Sequence, residues 1–113
     1  MNLVNAIAKK ELNGEVNMVT FTSAETLKQD TYYFSAGGTL PYHRHPNGDQ
    51  IFFIQEGTGT FYIDDANGEE GQAVKPGDMI LAPKNVWHKL VADEGCELIA
   101  SQVTSQGAGK EDR

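Results

Sequence analysis

Turn-forming residues recur at intervals of about eight to ten residues from the middle of this chain onward. The segments between them are rich in aromatic and β-branched side chains, which favour strands. Short strands separated by evenly spaced turns are typical of an all-β sandwich or barrel. The turns contain Gly37-Gly38, Asn47-Gly48, Gly57-Thr58-Gly59, Asn67-Gly68, Pro76-Gly77-Asp78, Pro83-Lys84-Asn85 and Asp93-Glu94-Gly95.

The two ends of the chain carry weaker patterns. Residues 1–12 fit either a short helix or an extra strand, and Val16 to Thr22 alternates as a strand does. We expect residues 1–30 to pack on the barrel or to extend it, and residues 31–104 to form the barrel itself. The polar residues 105–113 predict a flexible tail.

Composition restricts the classes of partner. The chain has 113 residues, which suits one domain, and its net charge of −7 argues against nucleic acid or an anionic membrane as a partner. Cys96 is the single cysteine, so the fold does not depend on an internal disulfide. The N-terminus has no signal-peptide pattern and no apolar run reaches membrane length, so we expect a cytoplasmic protein.

The three histidines of the chain, His43, His45 and His88, suggest a metal site. Alternation along a strand directs His43 and His45 to one face, and Gln50 adds a further ligand-like position on the next strand. Imidazole is the commonest protein ligand for zinc, iron, nickel and copper. We therefore predict one divalent metal ion (iron, zinc, nickel or manganese). The alternative is a set of hydrogen-bonded interior histidines without a metal.

The spacing around these residues resembles the two sequence motifs of the cupin family. Positions of the first motif fall on Gly37, His43, His45, Gln50 and Gly57, and positions of the second on Gly77, Pro83 and His88. The resemblance runs from about Thr31 to Val103. It implies a small single-domain jelly-roll barrel, also called a double-stranded β-helix. It further implies a mononuclear site whose ligands are His43, His45, Gln50 and His88.

Three positions depart from the family pattern, Gln50, Asn85 and Ala92, and we draw nothing from Ala92, which stands where asparagine is common. Gln50 stands where a glutamate is usual, which leaves three imidazoles and an amide, all of them neutral. Gln50 either binds the metal or orients a histidine beside it. Asp49 is the alternative ligand, although neighbouring strand residues face opposite sides unless a bulge intervenes. Asn85 replaces a usual glycine, which a left-handed turn tolerates.

Strand parity also predicts the pocket walls and the outer face. Counting from Gln50, Phe52 and Ile54 face the interior. The other candidates for the pocket wall are Trp87 and one of the pair Tyr33 and Phe34, and core packing is the alternative for each. Tyr42 and Lys89 point outward by the same alternation, which leaves no evident general acid or base beside the histidines.

The outward positions of the same strand hold apolar side chains, Ile51 and Phe53. Consecutive exposed apolar positions usually mean that another surface covers them. That surface is either the N-terminal segment or a second copy of the chain, and we favour a homodimer.

The resemblance leaves the reaction open, because cupins include dioxygenases, isomerases, lyases and ligand sensors. We expect a metal-dependent enzyme that acts on a small metabolite, either a dioxygenase or an isomerase or lyase. The alternative is a non-catalytic module that binds or senses a small molecule.

Overall fold

The computed structural model describes residues 2–113, and Met1 lies outside the described residues. Residues 2–113 contain ten strands and no helix, which confirms the all-β prediction. In chain order the strands are β1 (Val16–Ser23), β2 (Leu27–Phe34), β3 (Thr39–Arg44), β4 (Gln50–Glu56), β5 (Gly59–Asp65), β6 (Gly68–Val74), β7 (Met79–Ala82), β8 (Trp87–Ala92), β9 (Leu98–Ser105) and β10 (Glu111–Asp112).

The strands form two five-stranded sheets in which every pair is antiparallel. Sheet A has the order β1-β2-β9-β4-β7, and sheet B has the order β10-β3-β8-β5-β6. The chain crosses between the sheets several times, so that neighbouring strands come from distant parts of the sequence. This is the double-sheet jelly roll that the sequence predicts.

The inward side chains of both sheets form one apolar core. Strand β4 shows the alternation clearly, since Gln50, Phe52 and Ile54 are buried while Ile51 and Phe53 are exposed. Aromatic rings join the two sheets, with the centroids of Phe52 and Phe61 5.8 Å apart. The buried core consists of Tyr32, Phe34, Phe52, Ile54, Phe61, Val74, Ala82, Leu90, Ala92, Leu98 and Ala100.

Two turns require a left-handed backbone. Asn85 adopts a φ of 60°, which asparagine tolerates better than most residues, and its N–H donates to the carbonyl of His45 at 2.9 Å. Gly57 has a φ of 81° and packs so closely that a Cβ there would lie 1.9 Å from the carbonyl oxygen of Glu97. A glycine is therefore needed at position 57 both for its conformation and for space.

The N-terminal segment packs against the outer side of sheet A. It makes one turn, in which the N–H of Lys9 donates to the carbonyl of Asn5 at 3.2 Å, and forms neither of the expected elements before Val16. The hydroxyl of Tyr33 donates to the carbonyl of Ala6 at 2.7 Å, and both residues are buried. Strand β1 then extends sheet A beside β2.

The C-terminal residues differ from the predicted flexible tail. Strand β10 pairs with β3, with Glu111 opposite Arg44. Ala108 is buried, and its carbonyl accepts from the N–H of Asn47 at 2.9 Å. A short edge strand gains its contacts through the backbone and leaves polar side chains in solvent, so a polar composition does not distinguish it from a free tail.

Strands are the regular secondary structure that residues 2–113 contain. Within residues 2–113, no helix has the length and apolar character that crossing a membrane requires.

We predict that Gly57→Ala destabilises the protein far more than Gly68→Ala. Both glycines have positive φ, but a Cβ at Gly68 would meet nothing within 4 Å. Gly68→Ala should therefore lower the free energy of unfolding by about 1–2 kcal/mol, the cost of left-handed strain alone. Gly57→Ala adds a backbone clash and should cost about 4 kcal/mol or more. Urea unfolding of both variants measures the difference, and equal losses would contradict the close approach.

Candidate metal centre

The histidines meet between the two sheets, on the inner face of sheet B. His43 lies in β3 and is paired in register with His88 of β8. His45 follows directly after β3 and, two residues on from His43, shares its face. All three side chains are buried, and the ring centroids of His43 and His88 are 4.3 Å apart. The convergence that the sequence predicts from alternation is therefore present.

The nitrogen atoms of this cluster are close enough to share one ion. One ring nitrogen from each histidine can be chosen so that all three lie within 4.8 Å of one another. Within residues 2–113, four buried side-chain polar atoms lack a hydrogen-bond partner, namely His43 Nε2, His45 Nε2, His88 Nε2 and Gln50 Oε1. An unpartnered buried polar atom is costly, so these atoms call for a partner, and the three imidazole nitrogens lie close enough together to share one.

Backbone carbonyls determine which nitrogen of each ring is free. Nδ1 of His43 lies 2.8 Å from the carbonyl of Pro41, and Nδ1 of His88 lies 3.1 Å from that of Val86. Nδ1 of His45 lies 2.7 Å from the carbonyl of Gly109. A carbonyl only accepts, so each Nδ1 carries the hydrogen and each Nε2 keeps a lone pair. This is the arrangement that metal-bound histidines usually have.

The interior also keeps the rings uncharged. Burial lowers the pKa of His43 to about 4, and burial together with the neighbouring His43 lowers the pKa of His88 to about 3. Burial lowers the pKa of His45 as well. All three imidazoles are therefore neutral at pH 7, with lone pairs available to a cation.

Gln50 lines the same cavity as His45, from sheet A, with its amide held in one orientation. Its Nε2 donates to Oε1 of Gln102 at 2.8 Å and to Oγ1 of Thr104 at 2.7 Å. Both amide hydrogens are thus engaged, and Oε1 remains without a partner. The donor set of three imidazoles and one amide oxygen suits a divalent transition metal.

A cavity of about 730 Å³ leads to this cluster and reaches His45 and Gln50. It lies between β1, β2, the start of β3 and the C-terminal residues 105–110. Its apolar walls include Met18, Tyr32 and Leu40, and its charged groups are Lys28, Lys110, Glu15 and Asp30. The volume is in the range of sites that bind small molecules.

Two of the residues predicted to line the pocket lie elsewhere. Tyr33 faces the N-terminal segment on the outer side of sheet A, and it is Tyr32 that faces the cavity. Three consecutive aromatic residues in β2, Tyr32, Tyr33 and Phe34, conceal its parity, which explains this correction. Trp87 lies on the outer side of sheet B, 4.3 Å beneath the guanidinium of Arg44. Alternation from His88 was sufficient to exclude Trp87.

The remaining predicted residues lie beside the cluster or away from it. Phe52 contacts His88, with centroids 5.9 Å apart, and belongs with Ile54 to the apolar core, so neither forms the cavity wall. Asp49 is exposed, and its carboxylate accepts from the N–H of Lys84 at 2.7 Å, which separates it from the histidines. The ammonium of Lys89 lies over the ring of Tyr42 on the outer side of sheet B.

The residues that orient Gln50 have no sequence motif. Asp30, Gln102 and Thr104 are buried polar residues of sheet A. The available signal was the alternation in β9, where Gln102 and Thr104 continue the inward row of Leu98 and Ala100. Polar residues on an inward row point to a polar interior.

Comparison with known proteins agrees with this geometry. The sequence model of the cupin domain matches residues 31–101. Germin-like protein 1 of Brassica napus is 33% identical over 52 residues, which is 45% of this chain and 25% of that protein. The chain thus matches only a quarter of that relative's length.

Solved structures share the fold at low sequence identity. A conserved protein from Klebsiella pneumoniae with a double-stranded β-helix domain superposes with a TM-score of 0.86 and 17% identity, over 99% of this chain and 96% of that one. A recombinant oxalate oxidase in complex with glycolate gives a TM-score of 0.81 and 19% identity, over 92% of this chain and 60% of that one. The matched sequence model covers more than half of the chain, and the chain therefore belongs to the cupin domain family.

Proposed function

We propose that this protein holds one divalent metal ion through His43, His45, His88 and Gln50, and that it is an enzyme for a small metabolite. The observation that carries this proposal is the set of four unpartnered buried atoms on these residues. Iron, zinc, nickel and manganese all accept imidazole nitrogen together with an oxygen ligand. The likeness in fold to an oxalate oxidase supports an enzyme of this kind.

The donor set is neutral, and this determines what the site favours. An ion bound there would supply Lewis acidity, or oxygen activation where the metal is redox-active. The chain's own residues line the cavity with two lysines, Lys28 and Lys110, with two carboxylates, Glu15 and Asp30, and with apolar surface from Tyr32 and Met18. A small carboxylate suits the uncompensated charge of the ion, and dioxygenation and isomerase or lyase chemistry are the candidate reactions.

A non-catalytic binding module is the second candidate, favoured by one observation. Among the described residues that line the cavity, Asp30 is the buried carboxylate, and it already accepts hydrogen bonds from Thr20 and Gln102. The described residues of the cavity wall therefore include no buried carboxylate without hydrogen-bond partners. Oxygen consumption and product formation with small carboxylates distinguish the candidates, because a binding module shows metal-dependent ligand affinity without turnover.

We predict that the purified chain binds one divalent ion and that His43→Ala and His88→Ala each abolish stoichiometric binding. Free metal at 1,000 times its Kd should stabilise the wild type by about 4 kcal/mol. Metal analysis after chelation and reconstitution, together with thermal unfolding, measures both effects. Lys89→Ala, in the same strand but on the outer side, is the matched control and should bind as the wild type does. A wild type that takes up none of the four metals would refute the metal site.

We also predict that the C-terminal residues support the site through His45. Deletion of residues 108–113 removes the Gly109 carbonyl that accepts from Nδ1 of His45, and should weaken metal affinity by about 10-fold. A chelating dye in competition measures the affinity. The control is Glu111→Ala, which removes the ion pair with Arg44 on the outer side of sheet B and keeps the backbone. A folded truncated chain with unchanged affinity would contradict this role.

We further propose that the outer side of sheet A pairs with a second copy of the chain. Ile51 lies between Leu81 and Val103 in register, and these residues are 45%, 56% and 37% exposed. The next row places Phe53 beside Met79, which is 71% exposed. A two-fold contact brings a patch against itself, and uncharged rows meet without repulsion.

The alternative cover for this surface, the N-terminal segment, reaches only part of it. Leu3 and Val4 line a groove together with Phe53 and Val103. Ile51 and Leu81 are absent from that groove and remain exposed. The uncovered rows are therefore the surface that we assign to the second copy.

We predict a dimer in sedimentation analysis of the wild type. Ile51→Asp places a charge in the middle of the patch and should weaken association by about 100-fold or more. Gln72→Asp, on the exposed edge strand β6 of sheet B, is the control and should leave the dimer intact. A wild type that stays monomeric at high concentration would exclude this interface.

A further inference from the structure

We propose that Asp30 and Gln102 are positioning residues that direct the amide oxygen of Gln50 toward the histidine cluster. This inference rests on the proposed metal site and adds residues that the cupin motifs do not include. The residues involved are consecutive in space across sheet A: Thr20 in β1, Asp30 in β2, Gln102 in β9 and Gln50 in β4. The hydrogen bonds between them converge on Asp30, from Gln50 through Gln102 on one side and from Thr20 on the other.

Asp30 determines which atom of each neighbouring side chain faces it, and its side chain is only 1% exposed. A carboxylate can only accept hydrogen bonds. The hydroxyl of Thr20 donates to its Oδ1, and Nε2 of Gln102 donates to its Oδ2 at 3.0 Å. The ammonium of Lys28 lies 3.7 Å from the same Oδ2. Every partner of this carboxylate is therefore a donor.

The orientation of the Gln102 amide in turn determines the orientation of the Gln50 amide. Because its Nε2 faces Asp30, its Oε1 faces Gln50 and accepts from Nε2 of Gln50 at 2.8 Å. A rotation of the Gln102 amide by half a turn would bring two acceptor oxygens together at Asp30. The carboxylate thus selects one of the two amide orientations of Gln102.

The same reasoning determines the orientation of Gln50. Its Nε2 uses one hydrogen for Gln102 and the other for Oγ1 of Thr104 at 2.7 Å. With the amide rotated, its oxygen would face the acceptor oxygen of Gln102. The observed orientation leaves Oε1 as the unpartnered atom available to a cation.

This chain of bonds explains why an amide occupies position 50. A glutamate there would have no hydrogen to donate to Gln102, and its carboxylate would face the Oε1 acceptor instead. The surroundings built by Asp30 and Gln102 therefore fit glutamine and oppose glutamate. The preference for a neutral side chain at position 50 therefore depends on residues from three strands of sheet A, β2, β9 and β4.

The test is a double-mutant cycle in Zn²⁺ affinity with Asp30→Asn, Gln102→Met and the double variant. Asparagine presents either a donor or an acceptor, so Asp30→Asn removes the selection, and we expect about 10-fold weaker binding. Gln102→Met breaks the chain with a side chain of similar length. If Asp30 acts through Gln102, the double variant binds as Gln102→Met does. Additive losses would overturn the proposal, because they indicate that the charge of Asp30 acts directly on the cation.

A second readout does not need metal. In the metal-free wild type, the side-chain amide of Gln50 should give one pair of proton resonances in NMR, and Asp30→Asn should split or broaden that pair. Asp93→Asn is the matched control, since Asp93 accepts a hydroxyl hydrogen bond from Thr58 away from the cavity. Unchanged Gln50 resonances in Asp30→Asn would overturn the positioning role. Zinc that fails to bind the wild type refutes the metal site, and the amide resonances still decide the positioning.

Discussion

The interior of this barrel is organised around polar atoms that have no partner within the protein. Three imidazole nitrogens and one amide oxygen are buried without hydrogen bonds, although each such atom costs roughly 1–3 kcal/mol. The apolar core on the same inward faces, centred on Phe52 and Leu90, stabilises the barrel that carries this cost. A fold selected for stability alone would satisfy these atoms. Such atoms are expected where a site receives a ligand from outside the chain, which supports the proposed metal ion.

Rigidity in the site comes from backbone atoms more than from side chains. Each histidine is held at Nδ1 by a carbonyl, and two of these carbonyls, of Pro41 and Val86, lie two residues before the histidine they hold. The third, of Gly109, comes from 64 residues away and depends on the pairing of β10 with β3. The site is therefore local in sequence for His43 and His88 and dependent on tertiary structure for His45. The pairing of β10 with β3 also brings the C-terminal residues into the cavity wall.

Much of the fold and the histidine cluster follows from sequence, because both depend on short-range regularity. Evenly spaced turns predict the strands, and alternation predicts that His43 and His45 share a face. The errors arise where local pattern carries no information. Tyr32 and Tyr33 are chemically alike, and only the contact with Ala6 separates the outer residue from the inner one. Strand β10 has two polar residues and is recognised only by its partner β3. Asp30 and Gln102 lie 72 residues apart and become neighbours only through strand pairing.

The proposed neutral ligand set has a consequence for what the cavity accepts. In that site, three imidazoles and an amide would leave the charge of a divalent ion uncompensated, so an anionic group beside the ion would gain strongly from it. The buried carboxylate of Asp30 is separated from Gln50 by Gln102, and Lys28 and two hydrogen-bond donors surround it. In the proposed arrangement, the negative charge of Asp30 orients Gln50 through Gln102. No carboxylate of the chain then lies directly beside the ion. A glutamate at position 50 would reduce that gain, and for this reason we connect glutamine at this position with an anionic substrate.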